Sequence, residues 1–247
     1  MPMNRIPAAM LCFAMAGSAA AAEITVSAAA SLNNAFRDAA TAYEAAHPGD
    51  TVLLNFGASD ALAAQIARGA PVDLFASADQ DAMDKAQAQL APGSRRDFAS
   101  NVLVVAVAAH GALRFRSLAD LGQPAIQRLT TGNPASVPAG RYARAALEKA
   151  GLWTALEPKF VFATNVRQSL DYIARGEAEA GLVYQTDVAA QAGKVRTAMA
   201  VPGTGPIAYP LAVLRNAPNA AGGRAFAAFI MSPGGQAILA RHGFGKP

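Results

Sequence analysis

The chain is poor in cysteine and histidine, and this scarcity excludes several kinds of chemistry. Its 247 residues include one cysteine, Cys12, and three histidines. Because Cys12 lies in an N-terminal segment with the features of a signal peptide, the mature chain can form no disulfide and no cysteine-ligated metal site. The histidines His47, His110 and His242 are far apart in sequence and lack the spacing of metal ligands. We therefore expect neither a metal cofactor nor thiol catalysis.

Clustered positive charge is also missing. The chain has 21 lysines and arginines against 17 acidic residues, a formal net charge of +4. Nevertheless, the longest run of basic residues is the pair Arg95 and Arg96, and aromatic residues do not alternate with basic ones. This pattern argues against nucleic-acid binding, and we expect no nucleic acid among the partners.

The N-terminus has the pattern of a secretory signal peptide. Arg5 is the only charged residue before Glu23, residues 6–17 are almost wholly apolar, and residues 20–22 are alanines that provide a cleavage site. An uncleaved membrane anchor is disfavoured because the apolar stretch is short. We predict that residues 1–22 are removed and that the mature protein is periplasmic.

The rest of the chain alternates short apolar runs with helical patterns, which is typical of parallel βα units. Strands are predicted at residues 24–28, 51–56, 73–76, 101–108, 127–131, 159–162, 180–184 and 207–214. Helices are predicted at about 32–46, 59–68, 79–89, 139–150 and 166–175, with two more within 220–241.

This pattern predicts an α/β fold with two lobes, each a mostly parallel sheet flanked by helices, with a ligand cleft between them. The long apolar runs at 101–108 and 207–214 are the natural crossovers between the lobes. We expect lobe 1 to comprise residues 23–102 plus 209–247, and lobe 2 to comprise residues 103–208.

Four predicted helices begin directly after a strand, at Ser31, Ser59, Ala139 and Val166. A helix start presents unpaired backbone N–H groups and a partial positive charge of about half an elementary charge. In open α/β sheets, ligands bind beyond the carboxyl ends of the strands, where all four starts fall. Two starts belong to each predicted lobe, so together they would offer a small dianion about two positive charges across one cleft.

Each of these residues also has an ordinary structural explanation. Ser31 and Ser59 stand where a serine can cap a helix, and Val166 could simply be a core residue behind a capping Asn165. Tyr184 ends an apolar strand, where a half-buried tyrosine is common and where its hydroxyl could also reach the cleft.

Six short motifs occur in order over nearly the whole chain after the signal peptide. They are AAASL at 28–32, FGAS at 56–59, GAPVDLFASAD at 69–79, VPAGRYA at 137–143, NVR at 165–167 and GLVY at 181–184. In these motifs the chain resembles the periplasmic molybdate-binding proteins of ABC importers. The resemblance implies a type II periplasmic-binding fold that closes on molybdate or tungstate and delivers it to a membrane permease with a cytoplasmic ATPase.

The resemblance also implies roles for individual residues. Ser31 and Ser59 would donate hydroxyl and backbone hydrogen bonds, Ala139 and Val166 would donate backbone N–H groups, and Tyr184 would donate its hydroxyl. It implies no catalytic residue, no cofactor apart from the ligand itself, and a monomer.

Asp60 departs from the family, in which a small or hydroxylated residue is expected after the second serine. A carboxylate in the first turn of a helix is stabilised by the helix dipole, but inside the cleft it would repel a dianion or accept a proton from hydrogen phosphate. Arg141 and Arg167 each follow a predicted binding residue and could pair with a carboxylate. Sulfate, phosphate and small organic anions therefore remain alternative ligands.

An enzyme is the alternative from another class. Residues 57–61 are close to the nucleophile elbow G-x-S-x-G, and Ser59, Asp187 and His242 follow the chain order of an α/β-hydrolase triad. However, the final glycine is missing, and a hydrolase would leave Ser31, Ala139 and Val166 without roles. We predict a binding protein and not an enzyme.

Overall fold

A computed structural model describes residues 23–247, which form two five-stranded sheets covered by helices. The predicted signal peptide, residues 1–22, lies outside the described residues. The strands are β1 Glu23–Ala29, β2 Thr51–Gly57, β3 Leu74–Ala76, β4 Arg96–Asn101, β5 Leu103–Ala108, β6 Leu129–Gly132, β7 Phe160–Ala163, β8 Ala180–Tyr184, β9 Val195–Ala200 and β10 Ile207–Val213. The helices are α1 Asn33–Ala46, α2 Ser59–Ala67, α3 Gln80–Lys85, α4 Pro138–Lys149, α5 Trp153–Leu156, α6 Val166–Ala174, α7 Gln185–Ala190, α8 Ala220–Met231 and α9 Pro233–Arg241.

The two sheets have the same plan. Sheet 1 has the order β2-β1-β3-β10-β4, and sheet 2 has the order β7-β6-β8-β5-β9. In sheet 1, β1 pairs in parallel with β2 and β3, while β10 is antiparallel to both of its neighbours. In sheet 2, β6 pairs in parallel with β7 and β8, while β5 is antiparallel to both of its neighbours. Four strands of each sheet therefore run in one direction, which confirms the prediction of two mostly parallel sheets, each with one reversed strand.

We call sheet 1 with α1, α2, α3, α8 and α9 lobe 1, and sheet 2 with α4 to α7 lobe 2. The chain enters lobe 2 between β4 and β5 and returns to lobe 1 between β9 and β10. Because β4 neighbours β10 in sheet 1 and β5 neighbours β9 in sheet 2, the two crossings lie side by side. The predicted lobe boundaries remain a proposal; β10 begins at Ile207, two residues before the predicted return.

The prediction of one strand over 101–108 is wrong at its start. Asn101 ends β4, and Val102 lies between the strands and is 41% exposed. The side chain of Asn101 accepts a hydrogen bond from the Val102 N–H at 2.9 Å, so this N–H is not available to a strand ladder. The run therefore divides into the end of one sheet and the start of the other.

Strands β4 and β9 and the short helices α5 and α7 escaped prediction from the sequence. Both strands lie at the edge of a sheet and pair with one neighbouring strand, and β4 has in addition a single bridge from Ser100 to Gly245. An edge strand needs no continuous apolar run, and the sequences RDFASN and VRTAMA have none. The predicted helix at 79–89 is also shorter, since α3 ends at Lys85 and a 3-10 turn follows at Gln87–Gln89.

Within residues 23–247, none of the helices has the length and apolar character needed to cross a bilayer.

Candidate functional site

A small cavity lies between the lobes, at the carboxyl ends of parallel strands. Lobe 1 contributes the residues that follow β1, β2 and β3, and lobe 2 contributes those that precede α4 and α6 and end β8. The lining residues are Ala29, Ala30, Ser31, Gly57, Ala58, Ser59, Ala78, Val137, Pro138, Ala139, Asn165, Val166 and Tyr184. All five residues predicted to form a site, Ser31, Ser59, Ala139, Val166 and Tyr184, are among them.

The cavity is suited to one small ion. The centre of a water molecule could occupy a volume of about 10 Å³ in this cavity, which is close to the minimum needed to hold one water molecule. Because an atom extends beyond its centre by its own radius, the cavity has room for a group of a few heavy atoms but not for a sugar or an amino acid. Of the described residues that line it, none has a charged side chain.

Ser31 lies in a 3-10 turn, Ala30–Leu32, and α1 begins two residues later, at Asn33. The predicted α-helix start at Ser31 is therefore wrong by two residues, because a tighter turn comes first. The serine does not cap this turn or α1. Its Oγ lies 3.0 Å from the hydroxyl of Tyr209, and both groups are buried. The capping alternative does not apply to this serine.

Asn101 is the second hydrogen-bond partner of the Tyr209 hydroxyl. The Oδ1 of Asn101 accepts the Val102 N–H, so its Nδ2 is free to donate to the Tyr209 hydroxyl at 3.1 Å and to Thr186 Oγ1 at 2.8 Å. The Tyr209 hydroxyl accepts from Asn101 and still has its own proton, which it can donate to Ser31 Oγ at 3.0 Å. In that arrangement Ser31 accepts from Tyr209 and can direct its own proton to the cavity.

The Ser59 hydroxyl accepts a hydrogen bond from a different group, a backbone N–H. Ser59 is the first residue of α2, with Ala58 in the capping position, and its Oγ accepts the backbone N–H of Ala78 at 3.0 Å. Its hydroxyl proton is then free to point into the cavity. Sequence reasoning missed Ala78, Asn101 and Tyr209, because these partners are distant along the chain.

In lobe 2, two helix starts bring backbone N–H groups to the cavity. Helix α4 begins at Pro138, so Ala139 lies in its first turn, and a Cβ on Gly140 would lie 1.9 Å from the carbonyl oxygen of Gly132. Only glycine allows this turn to approach the end of β6 so closely. Helix α6 begins at Val166, and the prediction that Asn165 caps it is confirmed, since the Asn165 side chain accepts the Gln168 N–H at 3.1 Å. N–H groups in a first turn have no acceptor within their own helix.

Tyr184 ends β8 and is 1% exposed. The alternative of a half-buried tyrosine at the end of this strand therefore does not apply. The Tyr184 hydroxyl is buried and has no hydrogen-bond partner among the described residues. Burial raises the pKa of this phenol well above its ordinary value, so it keeps its proton and can donate it. A buried hydroxyl without a partner costs about 1–3 kcal/mol, which a ligand oxygen would recover.

Asp60 does not line the cavity. Its carboxylate pairs with Lys85 of its own lobe and with Arg141 of α4, whose Nη1 lies 2.5 Å from Asp60 Oδ2. The Nε of Arg141 also donates to Asp79 Oδ2 at 3.0 Å. Burial raises the pKa of the Asp79 carboxyl, and the guanidinium of Arg141 opposes this shift. Arg141, which the sequence suggested could pair with a carboxylate, pairs with two carboxylates of lobe 1 and therefore bridges the lobes.

Arg167 makes a second contact between the lobes. Its guanidinium donates to Asn34 Oδ1 at 2.8 Å and to the Ser31 carbonyl oxygen at 3.2 Å, both in lobe 1. Its Nε lies 2.7 Å from Oδ1 of the fully buried Asp187. Burial raises the pKa of the Asp187 carboxyl, and the positive charge of Arg167 lowers it. Arg167 thus holds the backbone of the Ser31 turn against lobe 2.

The structure does not assemble the hydrolase triad. Asp187 is paired with Arg167, and His242 Nε2 lies 2.8 Å from Asp38 Oδ2. Ser59 Oγ is bonded to the Ala78 N–H and has no histidine beside it to act as a base. Nor are there, within residues 23–247, three His, Cys, Asp or Glu side chains grouped closely enough to hold a metal ion.

Comparison with known proteins identifies the family. Residues 24–245 match the profile described as bacterial extracellular solute-binding protein. The chain is 39% identical to the molybdate-binding protein ModA of Escherichia coli strain K12, over 98% of this chain and 97% of that protein.

Solved structures agree with this result. The Azotobacter vinelandii periplasmic molybdate-binding protein superposes with a TM-score of 0.82 at 25% identity, covering 91% of this chain and 99% of that one. The sulfate-binding protein SubI of Mycobacterium tuberculosis H37Rv has the same TM-score at 21% identity, covering 90% and 86%, and shares the fold. The prediction of a binding protein and not an enzyme is confirmed. The chain belongs to the bacterial extracellular solute-binding proteins, a family with ModA among its members.

Proposed function

We propose that this protein binds molybdate in the cavity between its lobes and delivers it to an ABC importer. The observation that carries the proposal is the state of the two serines. Ser59 accepts a hydrogen bond from the Ala78 N–H, and Ser31 has the Tyr209 hydroxyl as its buried partner, so each serine can direct its own proton to a ligand. A cavity lined by donors, with no charged side chain, suits a small anion whose oxygens are all unprotonated.

The proposed contacts are those that the family resemblance implies. Ser31 and Ser59 donate their hydroxyls and backbone N–H groups, Ala139 and Val166 donate backbone N–H groups, and Tyr184 donates its hydroxyl. A hydrogen bond to a charged partner contributes about 1.5–3 kcal/mol, so seven donors provide roughly 10–20 kcal/mol before the costs of closure. This is sufficient for submicromolar binding.

The same donors select against protonated anions. At neutral pH phosphate carries at least one proton, and that proton needs an acceptor, which the backbone N–H groups of the site cannot be. Tungstate has the charge and shape of molybdate, and we propose that it binds as well. Sulfate also lacks a proton, and it stays the principal rival because a sulfate-binding protein shares this fold.

The proposed cycle follows from the two lobes. The protein is exported by the signal peptide at residues 1–22, acts in the periplasm as a monomer, and meets a membrane permease with its ATPase. Molybdate stabilises the closed form because only that form brings donors of both lobes to the same ion.

A thermal unfolding series with different anions tests the proposal. A ligand at a thousand times its Kd adds about 4 kcal/mol of stability. For a protein of this size, that raises the Tm by roughly 10 °C. We expect this shift with molybdate and tungstate, and little or none with phosphate or simple carboxylates. A shift with sulfate and none with molybdate would overturn the assignment.

The Tyr209→Phe variant tests the origin of the selectivity. Without the phenol, Ser31 loses its buried hydrogen-bond partner, so its hydroxyl can turn and accept a proton. We expect the affinity for molybdate to fall several-fold and the preference for molybdate over phosphate to narrow, as measured by calorimetric titration with both ions. If both affinities fall by the same factor, Tyr209 only supports the local structure.

A further inference from the structure

Arg141 of α4 forms a bridge to two largely buried carboxylates of lobe 1, Asp60 and Asp79. Its Nε also lies 3.7 Å from Oδ2 of Asp81, whose side chain is 70% exposed. The Nη1 of Arg141 pairs with Asp60, and its Nε and Nη2 both donate to Asp79 Oδ2. These three side chains are largely buried, with 20% of Arg141, 10% of Asp60 and 3% of Asp79 exposed. Charges held in this way are screened by solvent far less than an ordinary surface pair.

The bridge lies beside the cavity. Asp60 follows the lining residue Ser59, Asp79 follows the lining residue Ala78, and Arg141 is two residues beyond Ala139. Lobe 1 thus holds two largely buried negative charges next to its half of a site for an anion. Lobe 2 supplies Arg141, a cation that pairs with both of them.

Lobe 1 alone compensates these carboxylates poorly. Lys85 reaches Asp60 from within lobe 1, but its side chain is 54% exposed. Among the ion pairs of the described residues, Asp79 has Arg141 as its only cationic partner. Its other oxygen accepts the Ala82 N–H and the Ser77 hydroxyl, so that Asp79 is fixed as the cap of α3. When the lobes separate, Asp79 therefore stays in place and loses its counter-charge.

We propose that Arg141 determines affinity by neutralising Asp60 and Asp79 as the lobes close, so that a dianion in the cavity is not repelled by these carboxylates. The inference rests on the proposed binding of molybdate. It explains how an aspartate can follow the second serine without spoiling an anion site. It also makes closure and binding depend on each other, because separated lobes expose the ion to Asp79 without its cationic partner and to Asp60 with only the exposed Lys85 beside it.

The test compares a variant that lacks only the cation of the bridge with a variant that lacks the cation and both carboxylates. Arg141→Met removes the cation and keeps much of the side-chain length. The triple variant Arg141→Met/Asp60→Asn/Asp79→Asn also removes both negative charges, and asparagine preserves the cap of α3 because it caps helices as well as aspartate does. Arg144→Met is the matched control, since Arg144 lies on the same helix, is 52% exposed and pairs with Glu148 of that helix.

Calorimetric titration with molybdate gives the readout, and thermal unfolding without ligand verifies that each variant is folded. We expect Arg141→Met to weaken molybdate binding at least tenfold and Arg144→Met to leave it unchanged. The triple variant should bind molybdate at least threefold more tightly than Arg141→Met, although it lacks every hydrogen bond of the bridge.

The outcomes separate the possible failures. If the unmodified protein does not bind molybdate, the proposed function fails. If it binds molybdate and Arg141→Met binds equally well, Arg141 has no part in affinity. If Arg141→Met is weakened and the triple variant recovers nothing, Arg141 only holds the lobes together, and the neutralisation proposed here is wrong.

Discussion

Replacing Val166 with proline should weaken molybdate binding by about 100-fold or more while the protein stays folded. Proline is well tolerated as the first residue of a helix, and the residue before it must be extended. Val166 is the first residue of α6, and Asn165 is extended with φ −159° and ψ 169°. The substitution therefore removes one backbone donor from the cavity and leaves the helix intact.

The size of this effect has two sources. A hydrogen bond from the N–H to a charged ligand is worth about 1.5–3 kcal/mol, or roughly one to two orders of magnitude in Kd. The proline ring adds to this, because its carbon takes the place of the N–H hydrogen and meets the ligand oxygen.

Val166→Ala is the matched control, because it shortens the same buried side chain and keeps the N–H. We expect it to bind molybdate within about threefold of the unmodified protein in a calorimetric titration. If Val166→Pro has the same unfolding temperature as the unmodified protein and binds molybdate as well as Val166→Ala does, the Val166 N–H does not donate to the ligand.

Tyr184→Phe should stabilise the ligand-free protein and weaken molybdate binding by roughly 10-fold to 100-fold. The Tyr184 hydroxyl is buried without a partner among the described residues, so its removal relieves about 1–3 kcal/mol of unfavourable free energy. The same removal takes one donor from the ligand. Because burial raises the pKa of Tyr184 well above its ordinary value, this contribution to binding should not change with pH near neutrality.

Tyr43→Phe serves as the control, because we expect it to lower the stability of the protein and to leave molybdate binding unchanged. Tyr43 is also 1% exposed, but its hydroxyl donates to Asp50 at 3.0 Å, in lobe 1 and outside the cavity lining. Its removal should cost about 1 kcal/mol of stability and leave the affinity unchanged. A Tyr184→Phe variant that loses stability and keeps full affinity would remove Tyr184 from the site.

The backbone half of the candidate site was predictable because it depends on local pattern. A strand followed at once by a helix start places N–H groups at a known edge of a sheet, and this was enough to single out Ser59, Ala139 and Val166. The cap at Asn165 could be predicted for the same reason. Ser31 was placed at the right edge, although the 3-10 turn before α1 left no signal in the sequence.

The residues that contact the Ser31 hydroxyl and neutralise the carboxylates beside the cavity were not predictable from the sequence. Asn101 and Tyr209 are 108 residues apart, Tyr209 and Ser31 are 178 apart, and Arg141 reaches Asp60 over 81 residues. No local pattern marks such pairs. The edge strands β4 and β9 were missed for a related reason, since an edge position needs no continuous apolar run.

The most direct test of molybdate binding between the lobes is a crystal structure of the protein grown with molybdate and recorded at the molybdenum absorption edge. We expect one anomalous peak between the lobes, with ligand oxygens at hydrogen-bonding distance, about 2.6–3.2 Å, from the hydroxyls of Ser31, Ser59 and Tyr184 and from the N–H groups of Ala139 and Val166. A molybdenum peak at any other place, or an ion in this cavity that meets neither serine, would contradict this expectation.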